Sequence, residues 1–464
     1  MTQWTTRILA EYVRDTAADT PDAAVARTAA NVLVDLIACA AAGYASPAAR
    51  SARNTVRRIY AAGPTALWFT SDKRRPEGAA MANSTAASAL DLDDGHRQAG
   101  GHPGAAIIPA VLAVAAAEGA NGRNVIAALR AGYEVAVRVA GARDFSRLDT
   151  LSTGRWCAYG VAAAAGLLVR DTPQVLAMAL SIAGALSPGL SAAGYSTLMG
   201  NQVKEGIPWA VMTGLTALEL ARQGLTGPLD ILDHPDYFDA AAITDGLGTG
   251  SALTTVYFKP YACCRWIHAA IDAVFELVAG GALAPGGIRT VDVYTFERAL
   301  RLNNSADPDT LEGAQYSLPF CLALAACGGA EALLPLSPEW LHQPEVTELA
   351  SKVHLHVDPT LDARFPAETG ARVCLETTAG RMEQTVRHPL GDPDNPMDRI
   401  RRTTKFRRLA AGVMAPADQD RLLAAAEVLL DLESVEPILS CLRRPEVDGD
   451  TKKGTISWKR KRPS

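Results

Sequence analysis

The sequence predicts a mainly α-helical protein, a large all-α domain joined to a smaller α+β domain, and three observations carry that prediction. Alanine dominates the first two-thirds of the chain, as it does in closely packed helices. From Ala105 helical apolar patterning runs on for well over a hundred residues. After about residue 285 the texture changes to strand-like alternation and hairpin signals. The expected division is an all-α domain at 1–268, an α+β domain at 269–395, helices at 396–450 that pack back on the first domain, and a basic, disordered tail at 451–464. No fixed-period repeat is visible, which argues against a solenoid.

Residues 4–45 read as two helices, the second from Ala23 to Gly43 with Asp35 inside it and Gly43 as its stop. Ser51–Tyr60 reads as a basic amphipathic helix, Thr65–Thr70 as a short β-like run, the polar segment that follows as a loop, and Met81–Leu90 as a helix. Ala105–Ala117, Gly122–Ala140, Gly160–Val169, Thr172–Leu186 and Val211–Gln223 are the helices expected next, with glycine- or proline-bearing turns between several of them. In the second domain Ile288–Phe296 and Val353–Val357 are expected strands, Gly313–Ala326 and Pro344–Lys352 helices, and Ala371–Thr378 with Arg381–His388 a hairpin about Ala379-Gly380. Gly391–Pro396 is a linker before helices at Met397–Ala411 and Pro416–Leu432.

The 464 residues, 48% hydrophobic and 20% charged, describe a globular chain with room for more than one domain. A net charge of −5 argues against nucleic acid as a main partner. The N-terminus lacks the apolar region and cleavage site of a signal peptide. The apolar runs Ala105–Ala117 and Val161–Val169 fall short of the ~20 residues that span a bilayer, so no membrane is expected. Eight scattered cysteines without metal-ligand spacing suggest reduced thiols in a cytoplasm.

Chemistry concentrates in Asp91-Leu-Asp-Asp-Gly-His96 through His102-Pro-Gly104. Three carboxylates and two imidazoles stand beside the Gly100-Gly101 turn, and Pro103 marks a helix start that puts His102 at its positive end. Paired aspartates also cap helices, and a lone histidine is more often structural. It is the combination that suggests a site. Asp91, Asp94, His96 and His102 are also possible metal ligands, although no CxxC or HExxH pattern supports a metal. Further on, Lys204 stands in a glycine-flanked helix entry, and Val256–His268 embeds Lys259, Arg265 and His268 among aromatics and thiols. Cations there suit either an anionic substrate or an ion pair with the aspartates upstream. Removing a proton next to a carboxylate or carbonyl needs a base together with fixed positive charge where the anion develops. No phosphate loop, dinucleotide fingerprint or Schiff-base signature implies an organic cofactor.

Ala89–Asp94 with His102-Pro103, Ala131-Gly-Tyr-Glu134 with Arg138, Lys259-Pro-Tyr261 through Cys264, His268 and Asp272-Ala273, Ser317-Leu-Pro-Phe320 and Gly391–Pro396 together form an ordered set. In that set the chain resembles the MmgE/PrpD family, which includes 2-methylcitrate dehydratases, cis-aconitate decarboxylases and iminodisuccinate epimerases. The resemblance implies a cytosolic homodimer, each subunit an all-α domain and an α+β lid with the site between them. It implies no organic cofactor and no required metal. By the same resemblance Asp91 matches the family's first active-site aspartate, His102 the histidine of its His-Pro motif, and Lys204 and Lys259 its two lysines. Asp94, His96, Tyr261, His268 and Phe320 are then the expected substrate-binding residues. Gly95 stands where the decarboxylases have threonine, Leu151 where histidine is common, and Phe320 where tyrosine is common. Three lost polar groups point to a different, less polar ligand.

The expectation is a cofactor-independent lyase or isomerase of a small carboxylate or carbonyl compound, acting by dehydration, decarboxylation, epimerisation or enolate-type cyclisation in a biosynthetic pathway. Asp91 and His102 would handle protons, while Lys204 and Lys259 would hold the anion. The alternatives are a 2-methylcitrate dehydratase-like enzyme of primary metabolism, a homologue that binds without catalysis, and a metal-dependent hydrolase built on the Asp-rich loop.

Overall fold

The computed structural model describes residues 3–278 and 285–444, apart from 191, 193–195 and 197–199. The tail expected at 451–464 and the last residues of the 396–450 segment lie outside the described residues.

The helical body is built from α1 (Thr5–Ala18), α2 (Ala23–Gly43), α3 (Pro47–Ile59), α4 (Pro76–Ser88), α5 (Pro103–Glu118), α6 (Gly122–Gly141), α7 (Cys157–Leu168), α8 (Pro173–Leu186) and α9 (Ile207–Arg222). Local chemistry sets their ends. Asp22 accepts from the Ala24 and Val25 amides at the start of α2, Asn121 from Asn124 at the start of α6, and Thr172 from Val175 at the start of α8. Gly119 closes α5 in the left-handed conformation, φ 64°. Every residue of α7 is buried, and α5 is buried as far as Ala115, so α4, α6, α8 and α9 pack around these two as a shell.

Two sequence expectations need correction here. Within the β-like run Thr65–Ala66 (β1) pairs with Lys73–Arg74 (β2), inside the segment expected as a loop, and Thr70 makes an isolated parallel bridge with Arg443. Leu67, Trp68 and Phe69 are buried as irregular chain, so their apolar character reflects core packing and not strand pairing. In addition, α2 at 21 residues is long and apolar enough to cross a bilayer, which the two shorter runs considered from sequence are not. It is a core helix here. Its buried Asp35 meets Lys405 Nζ at 2.7 Å, and much of its surface is covered by α4, by the C-terminal helix that carries Lys405, and by α6.

The second unit begins with α10 (His268–Val278), which packs on a four-stranded sheet of β3 (Ile288–Thr295), β4 (Val353–Val357), β5 (Ala371–Thr377) and β6 (Gly380–Val386). The strand order is β4-β3-β5-β6, with β3 and β4 parallel and the other pairs antiparallel. The predicted hairpin is β5–β6, turning at Gly380 with φ 124°. Between β3 and β4 the expected single helix 313–326 is two, a turn at Leu311–Ala314 and then α11 (Leu318–Ala332). The break follows from Ser317, whose hydroxyl caps Phe320 N, and from Pro319 in the first turn of α11. The chain then returns to the body as α12 (Arg399–Ala410), packed on α2, and α13 (Pro416–Glu427). All eight cysteines are unpaired.

Candidate active site

Asp91 follows α4 in a left-handed conformation, φ 53°, which turns its carboxylate inward. Lys204, Glu205 and Gly206 are three successive left-handed residues (φ 44°, 56° and 71°) at the entry to α9. For residues with a Cβ this conformation is strained by about 1–3 kcal/mol each and persists only where the surroundings hold it. Side-chain contacts do so here. Lys204 Nζ lies 3.1 Å from Asp91 Oδ1, and Glu205 accepts from the Thr153 amide and hydroxyl at 3.0 and 2.7 Å.

Asp91 is the hub of the cluster. Its Oδ2 accepts from Lys259 Nζ at 2.7 Å, its Oδ1 from Lys204, and His102 Nε2 is 3.9 Å from Oδ1. Asp91, Lys204 and Lys259 are all buried, Lys259 completely. Burial alone would raise the Asp91 carboxyl, but Lys204, Lys259 and His102 outweigh it and hold Asp91 ionised far below the ordinary range. Burial would lower Lys259, and its aspartate neighbours reverse that and raise it. Asp93 and Asp94 move the other way. Burial raises both, against His102 and Lys259 at Asp93; at Asp94, Asp93 adds to the rise and the hydroxyl of Tyr133 opposes it. One loop thus holds one carboxyl firmly ionised beside two pushed towards the protonated form, the kind of divergence that separates acid and base roles.

His102 stands at the mouth of α5 as predicted, with Pro103 at the first helical position and no capping bond from its side chain. Its amide donates to Thr153 Oγ1 at 3.1 Å, and Nδ1 sits 3.2 Å from the Asp94 carbonyl and 3.4 Å from Asp93 Oδ2. Facing a carbonyl, Nδ1 carries a proton, so in the neutral form of the ring the lone pair is on Nε2. Gly104 permits this packing, since a Cβ there would fall 1.9 Å from Asp94 Oδ1. His96 takes the other tautomer. Thr255 Oγ1 donates to the Ala252 carbonyl, so His96 Nε2 donates to Thr255 Oγ1 at 2.8 Å and Nδ1 is left without a hydrogen bond. Burial and then Arg97 lower His96 to about 4, so it is neutral near pH 7.

A cavity of about 330 Å³ opens between the body and the sheet unit. His96, His102, Lys204 and Tyr257 line it, together with Trp266, Arg298 and Phe365. Asp91 and Lys259 sit behind this wall and reach it through Lys204, which also donates to Gln315 Oε1 at 3.0 Å and has a third N–H to spare. Asp94, Tyr261, His268 and Phe320, expected at the substrate, do not line the cavity. Asp94 accepts from Tyr133 at 2.9 Å, and Tyr261 donates to Asp272 at 2.6 Å. His268 is fully buried, donating to the Cys263 carbonyl at 3.1 Å with Arg265 3.3 Å from its other nitrogen. Burial, Arg265 and Lys259 hold it neutral, so it is a supporting residue. Phe320 is buried in the first turn of α11, and the aromatic that this stretch turns into the cavity is Tyr316.

Sequence reasoning missed Tyr257, Tyr316, Glu205 and Arg298. The first two stand beside motifs already singled out, but nothing in the sequence separates Arg298 from other surface arginines. The loss of polar groups also narrows. Leu151 does line the cavity, Phe320 does not, and the space beside Gly95 is filled by Tyr257. For a metal on the Asp-rich loop the geometry is unfavourable, because Asp91 is committed to two lysines and Asp94 to Tyr133. Among the described residues the one convergent donor group is His388, Asp392 and Asp394, where Arg97 and Arg265 already reach Asp392.

Comparison with known proteins agrees with this architecture. Residues 7–247 match the MmgE/PrpD N-terminal domain and residues 261–431 the MmgE/PrpD C-terminal domain. The cis-aconitate decarboxylase of Aspergillus terreus is 27% identical over 478 aligned positions, covering 94% of this chain and 95% of that protein. The cis-aconitate decarboxylase-like protein oryM of Aspergillus oryzae is 27% identical over 450, covering 88% and 90%.

Proposed function

Because the chain belongs to the MmgE/PrpD family, we propose that it is a lyase-type enzyme that removes a proton next to a carboxylate or carbonyl of a small acid. The observation that carries this reading is the hydrogen bonding of His102. With Nδ1 held by the Asp94 carbonyl, Nε2 of the neutral ring is the position that can accept a proton, in a cavity that Lys204 also lines. His102 Nε2 takes the α-proton, and the electron pair left behind becomes an enolate-like anion stabilised by the spare N–H of Lys204. Expulsion of hydroxide, delivery of a proton to the opposite face, or attack on an internal electrophile would complete dehydration, epimerisation or cyclisation respectively. In decarboxylation the electron pair of the broken C–CO2 bond forms the same enolate-like anion, and a proton given to carbon by His102 completes the step. Asp91 keeps the lysines charged and placed. A carboxylate held this far below its ordinary pKa is a poor base, so the proton-handling role passes to His102. The division at residues 268/269 into body and lid, the cytoplasmic homodimer and a substrate from a biosynthetic pathway belong to the same proposal, with Leu151 in the cavity wall in support of the last.

A second reading, binding without turnover, draws on the closed Lys204–Asp91–Lys259 cluster, in which both ammonium groups are already paired. Incubating the protein in D₂O with di- and tricarboxylates and oxo acids separates the two. Turnover or deuterium at an α-carbon is expected, falling about 10²-fold or more in His102→Ala. Unchanged exchange in that variant would remove the enzymatic reading of this site.

A further inference from the structure

The geometry points to Tyr257 as the specificity-determining residue of the cavity, its hydroxyl donating a hydrogen bond to a carbonyl or carboxylate oxygen of the substrate. This rests on the proposed proton-transfer site and adds to it the group that selects the ligand. Gly95 and Tyr257 exchange both backbone hydrogen bonds, at 3.1 and 2.9 Å, so the two segments form a short antiparallel bridge. The tyrosine ring lies over the glycine so closely that a Cβ at position 95 would fall 2.3 Å from both its Cζ and its hydroxyl oxygen. A glycine at 95 is therefore a packing requirement of Tyr257. From the other direction, the Arg265 guanidinium stands 4.7 Å from the ring centroid, itself anchored on the Pro389 and Leu390 carbonyls at 3.0 and 2.9 Å. The ring is clamped from two sides and has little freedom to turn away.

Tyr257 lines the same cavity as His102 and Lys204, and its hydroxyl makes no hydrogen bond among the described residues. Three neighbouring tyrosines contrast with it. Tyr133 donates to Asp94, Tyr261 to Asp272 and Tyr316 to Glu205 at 2.9, 2.6 and 3.4 Å. Burial holds the Tyr257 phenol well above its ordinary value despite Arg265, so it stays a neutral donor throughout the physiological range. A rigid, desolvated donor without a hydrogen-bond partner among the described residues is suited to a ligand oxygen, and it discriminates because the mismatch is left unpaired.

Isothermal titration with cis-aconitate, citraconate, mesaconate and oxaloacetate, with D₂O exchange of the same acids, tests the assignment. Tyr257→Phe keeps the ring and is expected to weaken the tightest-binding probe about tenfold while leaving the melting temperature within ~1 °C of wild type. Gly95→Ala is expected to abolish binding of that probe by displacing the ring, and Gly95→Ala/Tyr257→Ala to bind with an altered order among the four. Should wild type bind none of them, Tyr257→Ala is expected to gain affinity for the bulkier cis-aconitate. Unchanged affinities in Tyr257→Phe, or no gain in Tyr257→Ala, would overturn the assignment. Exchange that survives in His102→Ala would instead strike at the proton-transfer reading and leave the binding role of Tyr257 to be read from the titrations.

Discussion

At the residue scale the site turns on how few groups are left uncommitted. Lys259 and Asp91 each complete the other, His102 has one nitrogen tied and one open, and His96 is held neutral with Nδ1 unsatisfied. His96 supplies a pH prediction with a definite sign. Its folded-state pKa of about 4 lies below the ordinary imidazole value of about 6.5, so its contribution is complete above pH 6.5 and is lost as the pH falls towards 4. Across that window the loss is about 3 kcal/mol. His96→Gln should flatten the acid limb by roughly this amount when urea unfolding is compared at pH 7.5 and 4.5. A parallel slope in the variant would show that His96 does not titrate in this way. The Asp-rich loop was legible as a site, whereas its assignments within the loop were not. Asp94 has the right chemistry but turns to Tyr133, 39 positions away, a partner that only the fold brings to it; His268, outside the loop, turns back to the carbonyl of nearby Cys263.

At the scale of elements, one buried pair joins the end of the chain to its beginning. Lys405 of α12 reaches Asp35 of α2 and the Leu92 carbonyl at 3.0 Å, immediately beside Asp91. Burial raises Asp35 against the pull of Lys405, so the pair is expensive to break from either side. Lys405→Ala should therefore destabilise the protein by about 3–5 kcal/mol, and Lys405→Met with Asp35→Leu should recover most of it. Denaturant midpoints of the two variants decide this, and a mild Lys405→Ala would contradict it. Because Lys405 also touches the site loop, the destabilised variant should lose exchange activity before it unfolds globally. Asp35 was visible in sequence as a carboxylate inside an apolar helix, but its partner lies some 370 residues away in the chain, and no local pattern names it.

At the scale of the whole molecule, arginines fasten the sheet unit over the cavity. Arg97 reaches from the site loop to Asp392 and Asp394 at 3.3 and 3.1 Å and to the Ala367 carbonyl at 3.0 Å, while Arg298 reaches back to Leu148 at 2.9 Å and to Phe145. Apart from the pair to buried Asp392, such partly exposed contacts are worth at most about 1 kcal/mol each, in keeping with the lid proposed above. Arg97→Ala and Arg298→Ala should leave the melting temperature within a few degrees yet speed amide exchange in residues 144–149 and 389–395. Unaltered exchange there would mean that the cover is held by other contacts. Sedimentation of the wild-type protein tests the proposed homodimer directly, and a monomer would remove that part of the proposal.

Legible in the sequence were the mainly helical body, the late sheet with its hairpin at Gly380, the return of the C-terminal helices, and the stretch from Asp91 to His102 as a candidate site. These follow from periodicity, capping residues and turn chemistry, which act over a few residues and leave a local trace. Only in three dimensions do both lysines converge on Asp91, Tyr257 fill the space above Gly95, and Arg298 and Trp266 join His102 in lining one cavity. Those outcomes depend on which side chains share a buried volume. Desolvation and close packing settle that among residues far apart in the chain, through contacts that leave no local pattern to read.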